Sequence, residues 1–223
     1  MVSLLATNIS HTYRFFKAVR AVSIELQSGE CYALFGPNGA GKTTLMKIFA
    51  TLLRPTSGTV SIMGKDSADD REGARQALFF IGHGSCLYDD LTAVENIKFA
   101  IGLRGFRPTL GEIKAALDRV GIGAYASQKS RTLSAGMQKR LSLAKAILAD
   151  PQLLLLDEPY AALDEKGIDI MNDVIRGFLK KGASVLISSH DRIKTAEVAH
   201  RAGIVQNKGL REIPVTELEN ALF

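Results

Sequence analysis

The 223-residue chain has only two cysteines, Cys31 and Cys86, far apart in sequence. They form neither a C-x-x-C pair nor a metal-ligand cluster, so free thiols in a reducing compartment are the expectation. Long apolar runs are also missing. The densest, Leu153 to Leu156, falls far short of the roughly 18 residues that a membrane-spanning helix needs, so any pore must come from a partner. The opening stretch MVSLLATNISHTYRFFK is too short in its apolar part, and too polar afterwards, for a signal peptide. No block of like charge occurs. The 28 basic and 23 acidic residues are scattered, which gives +5 without a basic tail, and no nucleic-acid partner is expected. Repeats, low-complexity tracts and linkers rich in Gly, Pro or Ser are absent, so residues 1–223 are expected to form one domain.

Against these absences, the 46% of hydrophobic residues suffice for a sizeable core. Ser3 to Ile9 and Ala21 to Leu26 alternate as strands do, and Glu30 to Phe35 is a short apolar run of the buried-strand kind. A turn-rich stretch, Gly36 to Gly41, follows, and then a helical pattern from Lys42 to Leu52. Leu153 to Leu156 and Ser184 to Ser188 read as further central strands, each with polar residues at its carboxyl end. The pattern predicts an α/β fold with a mostly parallel sheet, helices on its faces and ligands at the strand ends. Asp157 comes 115 positions after Lys42, several times the length of a simple strand-helix-strand unit. Helical patterns at Thr92 to Leu103, Thr109 to Val120 and Ala135 to Ala149 place an inserted helical subdomain at about 92–149.

Gly36-Pro37-Asn38-Gly39-Ala40-Gly41-Lys42-Thr43 fits the phosphate-cradling pattern G-x-x-x-x-G-K-[ST], and Thr44 continues it into the helix. Glycines let consecutive backbone N–H groups point at phosphate oxygens, and the following helix adds the positive end of its dipole. Lys42 is expected to neutralise the β- and γ-phosphates, and Thr43 to ligate a bridging Mg²⁺. Asp157 and Glu158 close an apolar strand whose end faces that loop. Asp157 is expected to hold the Mg²⁺ through its water shell, and Glu158 to take a proton from the attacking water. His190 lies just past the strand Val185 to Ser188. Alone it reads as a surface cap, whereas its place beside the other strand ends favours polarising or sensing a γ-phosphate. Ser134 reads as the N-cap of a helix whose small residues Ala135 and Gly136 let an anion approach.

Taken in order, the glycine loop, Leu133 to Met137, Leu153 to Pro159, Ala161 to Asp164 and Ser189-His190 resemble the Walker A, signature, Walker B, D-loop and H-loop of ABC-type ATPases. The resemblance runs from about Leu4 to Arg211. It implies the P-loop fold of that family, with N-terminal antiparallel strands and ATP as substrate. It further implies a head-to-tail homodimer in which ATP, held by one subunit, is covered by Ser134 and Gly136 of the other, with Asp164 also a nucleotide-binding residue. By the same resemblance Tyr13 stacks on adenine with Val19 alongside; on sequence alone Tyr13 is a core-edge residue. Two departures stand out. Ala135 and Met137 replace the usual glycine and glutamine of the signature, and His83 or Gly84 stands where a glutamine that touches Mg²⁺ is expected.

Gly82 to Asn96 and Glu158 to Asp164 also resemble the haem-exporter ATPases of bacterial cytochrome c maturation. That likeness implies a peripheral protein on the cytoplasmic face of the bacterial inner membrane, bound to integral permease subunits. No haem site is visible in the sequence, since His11, His83, His190 and His200 form no ligand motif. Drug, lipid or polysaccharide exporters remain open, as does a soluble ABC ATPase without a transport role.

Overall fold

The computed structural model describes residues 1–84 and 86–218. Its elements in chain order begin with β1 (Val2–Tyr13), β2 (Phe16–Gln27), β3 (Cys31–Phe35), α1 (Lys42–Phe49), β4 (Ser57–Ile62), β5 (Lys65–Asp66), α2 (Arg71–Ala77) and β6 (Leu78–Ile81). They continue with α3 (Ala93–Gly102), α4 (Leu110–Arg119), α5 (Ala135–Ala149), β7 (Leu153–Asp157), α6 (Glu165–Lys180), β8 (Ser184–Ser188), α7 (Arg192–Ala196), β9 (Arg201–Gln206) and β10 (Gly209–Ile213). Two compact units emerge. One comprises Met1–Phe80, Pro151–Glu158 and Arg176–Phe223, of which 219–223 lie outside the described residues; the other comprises Ile81–Asp150 and Pro159–Ile175.

The first unit carries both sheets. A four-stranded antiparallel sheet runs β2-β1-β4-β5 and a six-stranded sheet runs β10-β9-β3-β8-β7-β6. In the larger sheet β3 pairs in parallel with β8 and β9, and β7 pairs in parallel with β8, while β10 is antiparallel to β9. The predicted α/β class, with a mostly parallel core and antiparallel N-terminal strands, is what the structure has. Because β3, β7 and β8 are buried on both faces, they read as continuous apolar runs. Leu45, Met46, Ile48 and Phe49 of α1 join one core cluster with Leu4, Ile9 and Leu26 of the small sheet and Tyr32, Leu34, Leu155 and Leu186 of the large one. Full burial of each such side chain contributes about 1.5–3 kcal/mol. This packing fixes α1 directly behind the loop it follows.

α1 ends at Phe49 rather than Leu52. Thr51 adopts φ 58°, and the N–H groups of Leu52 and Leu53 both turn back to Lys47 O, at 2.8 and 3.1 Å. Arg71 and Arg75 then donate to the Thr51 carbonyl. The left-handed turn is thereby held by two guanidinium groups.

In the second unit α5 packs against α3 and α4. Thr92 and Thr109 cap α3 and α4 in full capping boxes, which explains why these helices start where the sequence placed them. The helices are separated by irregular backbone and two short 3₁₀ turns (Gly123–Tyr125 and Ser130–Thr132) rather than continuing through the segment. Asn96 is buried, and its amide bonds Tyr88 O, Leu91 O, Thr92 O and Ser130 Oγ, tying that irregular chain to α3. Among the described residues no helix is long and apolar enough to cross a membrane.

Candidate active site

The register of the large sheet brings three strand ends level. Leu34 of β3 faces Ser188 of β8, and Ser188 faces Asp157 of β7. Beyond Leu34 and Phe35 the chain enters the loop Gly36–Gly41. Here two glycines are required by shape. Gly36 stands at φ 143°, and a Cβ there would meet Val205 O at 2.3 Å; Gly41 stands at φ 108°, and a Cβ would meet Val19 Cγ1 at 2.5 Å. Pro37, Asn38, Gly39 and Ala40 form the turn between them, closed by the Ala40 N–H on Pro37 O at 3.2 Å. α1 then begins at Lys42 with Gly41 as N-cap and no side chain capping it. Its first N–H groups have no intrahelical acceptors, so they and the helix dipole suit an anion.

Lys42 is 7% exposed, and its Nζ donates to Gly36 O at 2.7 Å and to Pro37 O at 3.3 Å. The ammonium is thus held over the same loop that the uncapped N–H groups serve. Thr43 Oγ1 lies 3.4 Å from Asp157 Oδ1, and Ser188 Oγ donates to that same carboxylate oxygen. Asp157 is 1% exposed, a buried carboxylate oriented by a hydroxyl from the neighbouring strand. A hydroxyl and a carboxylate side by side are hard oxygen donors of the kind Mg²⁺ takes. No group of three or more His, Cys, Asp or Glu side chains suited to a metal exists among the described residues.

Glu158 follows with φ 51°, its N–H bonded to Ser188 O at 2.9 Å. The backbone turn swings its carboxylate to His190, whose Nδ1 is 2.7 Å and whose N–H is 3.3 Å from Glu158 Oε2. Glu158 is largely enclosed, whereas His190 is 72% exposed. Lys42, Thr43, Asp157, Glu158 and His190 therefore gather in the first unit, as do Tyr13 and Val19. Val19 is fully buried against Gly41, and Tyr13 is 43% exposed at the end of β1.

Ser134, Gly136, Asp164 and His83 lie in the second unit. Ser134 Oγ accepts the Met137 N–H at 3.2 Å, so it is the N-cap of α5. Asp164 Oδ1 accepts the Gly167 N–H at 2.9 Å at the start of α6. His83 and Gly84 are exposed after β6, and Ser85 lies outside the described residues. Two buried lysines of α5 reach this stretch, Lys139 to Gly82 O at 3.3 Å and Lys145 to Cys86 O at 3.2 Å. Burial pushes the Lys145 ammonium below its usual pKa.

Sequence reasoning missed Ser188, whose place opposite Asp157 is set by the register between β7 and β8. It also missed Tyr160 and Asn172, whose buried side chains bond at 2.7 Å, because spacing alone does not bring them together.

The ABC transporter family profile matches residues 19–161, spanning the glycine loop and the acidic pair. The chain belongs to this family. It is the ATP-binding, ATP-hydrolysing subunit of an ABC transporter. A cytochrome c biogenesis ATP-binding export protein, CcmA, of Pseudomonas putida is 36% identical over 181 residues, covering 81% of this chain and 85% of its own length. The daunorubicin/doxorubicin resistance ATP-binding protein DrrA of Streptomyces peucetius is 30% identical over 94% of this chain and 64% of its own. A dimeric ATP-binding cassette solved in a post-hydrolysis state with ADP and Pi superposes with a TM-score of 0.84 at 25% identity, covering 95% of this chain and 98% of that one.

Proposed function

We propose that this ABC ATPase powers haem export or release for cytochrome c biogenesis, working with separate integral membrane subunits at the cytoplasmic face of a bacterial inner membrane. The observation that carries this reading is the 36% identity to CcmA across 85% of that protein's length. The daunorubicin/doxorubicin resistance protein DrrA supports a second reading, a drug-type exporter, with lower identity and with 64% of its length matched.

The chemistry of the cassette is the same in both readings. Backbone N–H groups of Gly36 and of 38–44, together with the Lys42 ammonium, hold the triphosphate. Mg²⁺, when bound, offsets charge on the β- and γ-phosphates, and Thr43 together with Asp157, the latter through water, is its protein partner. Glu158 takes a proton from water as that oxygen bonds the γ-phosphorus and the bond to the β,γ-bridging oxygen breaks. His190 orients Glu158 and meets the γ-phosphate. Tyr13 stacks on adenine, with Val19 behind it. Ser134, Gly136 and Asp164 of a second copy cover the nucleotide, so that ATP joins a homodimer and hydrolysis releases it. Residues 1–223 act as one nucleotide-binding domain with the helical segment of 92–149 as its subdomain. His83 or Gly84 stands where the glutamine beside Mg²⁺ is expected, so coupling to the membrane partner differs from the usual family member.

The test is a deletion strain complemented with the wild-type gene or with Glu158→Gln. Loss of holo-cytochrome c, restored only by the active form, supports haem export. Normal holo-cytochrome c in the deletion strain removes that role and leaves the drug-type reading.

A further inference from the structure

His11 and Tyr13 stand two positions apart on β1 and so share a face of the strand. Their rings meet edge to face, with centroids 4.5 Å apart and planes inclined by 78°. His11 pairs across the hairpin with Val19, between two register shifts of that ladder. Val19 in turn lies against Gly41, close enough that a single methyl there would collide with its Cγ1. The ladder thus sets Val19, which lies against the phosphate loop, opposite His11, which meets Tyr13.

The His11 imidazole is 8% exposed, and its Nδ1 is enclosed without a hydrogen-bond partner. A buried polar atom left this way is a cost, and an aliphatic side chain would avoid it. What the ring supplies here is its edge-to-face contact with Tyr13, a geometry that favours one relative orientation of two aromatic planes. Tyr13 is itself 43% exposed.

We propose that His11 is a positioning residue for the nucleobase: it sets the plane of the Tyr13 ring and ties that plane to the phosphate loop through Val19. The inference rests on the reading that Tyr13 stacks on adenine. It assigns His11 to the nucleoside end of the substrate and gives it no part in holding phosphate.

The test compares binding of ATP with binding of inorganic tripolyphosphate, which lacks a base, by calorimetry on the full chain. His11→Leu keeps the volume and loses the ring; it is expected to weaken ATP binding about five-fold or more while leaving tripolyphosphate binding unchanged. His11→Phe keeps a ring, drops the orphan nitrogen, and is expected to restore ATP affinity with an unchanged or raised melting temperature. In a Tyr13→Ala background, His11→Leu is expected to add no further loss. If Tyr13→Ala leaves ATP affinity intact, the stacking reading itself falls. If Tyr13→Ala weakens ATP binding but His11→Leu does not, the stacking reading stands and the role of His11 is overturned. Equal weakening of ATP and tripolyphosphate by His11→Leu, or failure of His11→Phe to restore ATP binding, also overturns it.

Discussion

His190 Nδ1 sits 2.7 Å from Glu158 Oε2, and the Glu158 backbone takes the left-handed φ of 51° that turns this carboxylate away from its own strand. The acid is therefore oriented by a residue 32 positions later, just past the end of the adjacent strand β8. Glu158→Gln keeps the shape and removes the proton acceptor. Phosphate release is expected to fall about 10²–10⁴-fold, the range that general-base removal covers, with ATP still bound. His190→Ala is expected to lower turnover as well, since Glu158 loses its orienting partner. Undiminished phosphate release by Glu158→Gln removes that residue as the base.

The glycines of the loop are not equivalent. At Gly36 a new Cβ would press on the backbone oxygen of Val205 at 2.3 Å, which has nowhere to go within the paired sheet. At Gly39, φ is 79° but nothing lies within 4 Å. Gly39→Ala is accordingly expected to carry only left-handed strain, about 1–2 kcal/mol. Gly36→Ala adds a backbone collision and should exceed it by at least about 1 kcal/mol in urea unfolding. Equal losses would mean that the Val205 contact does not constrain the loop.

Much of this architecture was legible because it is repeated in local chemistry. Leu153 to Leu156 and Ser184 to Ser188 were identifiable as buried strands since both faces are covered, so no polar alternation interrupts them. The helix caps Thr92, Thr109 and Ser134 marked their own positions. Turns were harder. The β1–β2 hairpin turns through Arg14, with φ 50°, and the β9–β10 hairpin through Asn207 and Lys208, with φ 51° and 67°; only Asn207 belongs to a residue type that signals such a conformation. The hydroxyl of Ser188 on Asp157 was invisible for a different reason, since it depends on the relative register of two strands separated by all of α6.

The capping boxes give the second unit an acid-sensitive component. Glu95 accepts the Thr92 N–H and hydroxyl at 2.8 Å each, and Glu112 accepts the corresponding groups of Thr109 at 2.7 Å. The backbone hydrogen bond first, and then the hydroxyl, hold both carboxyls below their usual value of 4.5. With the folded pKa lower than the unfolded one, their stabilisation is present above the unfolded value and is lost as pH falls through the folded value. Glu95→Gln with Glu112→Gln should therefore flatten the decline of stability below about pH 4.5, measured by urea unfolding at stepped pH. An unchanged slope would show that other carboxylates set the acid limb.

The two thiols should separate cleanly in reactivity. Burial, reinforced by the neighbouring Glu30 carboxylate, pushes the Cys31 thiol well above its ordinary pKa, and no part of it reaches solvent. Cys86 is exposed. A maleimide reagent is expected to label one cysteine in the native protein and both in denaturant, with Cys86→Ser abolishing native labelling. Rapid native labelling of Cys31 would mean that the edge where β3 begins opens readily.

Gly136 tests how the signature helix and the D-loop constrain one another. A Cβ at this position would stand 2.5 Å from the carbonyl oxygen of Ala162. That carbonyl cannot easily retreat. Tyr160 on one side is anchored by its hydroxyl on Asn172 at 2.7 Å, and Asp164 on the other caps α6 through the Gly167 N–H at 2.9 Å. Ala162 itself already stands at φ 64°. Gly136→Ala is thus an overpacking change, expected to cost about 1–3 kcal/mol and to lower the melting temperature by about 2–4 °C for each kcal/mol. The same shift displaces Ala162, two positions before Asp164, which is proposed to cover the partner's nucleotide, so ATPase activity should fall together with stability. Relaxing the anchor supplies the control: in a Tyr160→Phe background the D-loop can yield, and the further loss of melting temperature from Gly136→Ala should shrink. Full additivity of the two substitutions would show that Ala162 is not pinned from the Tyr160 side.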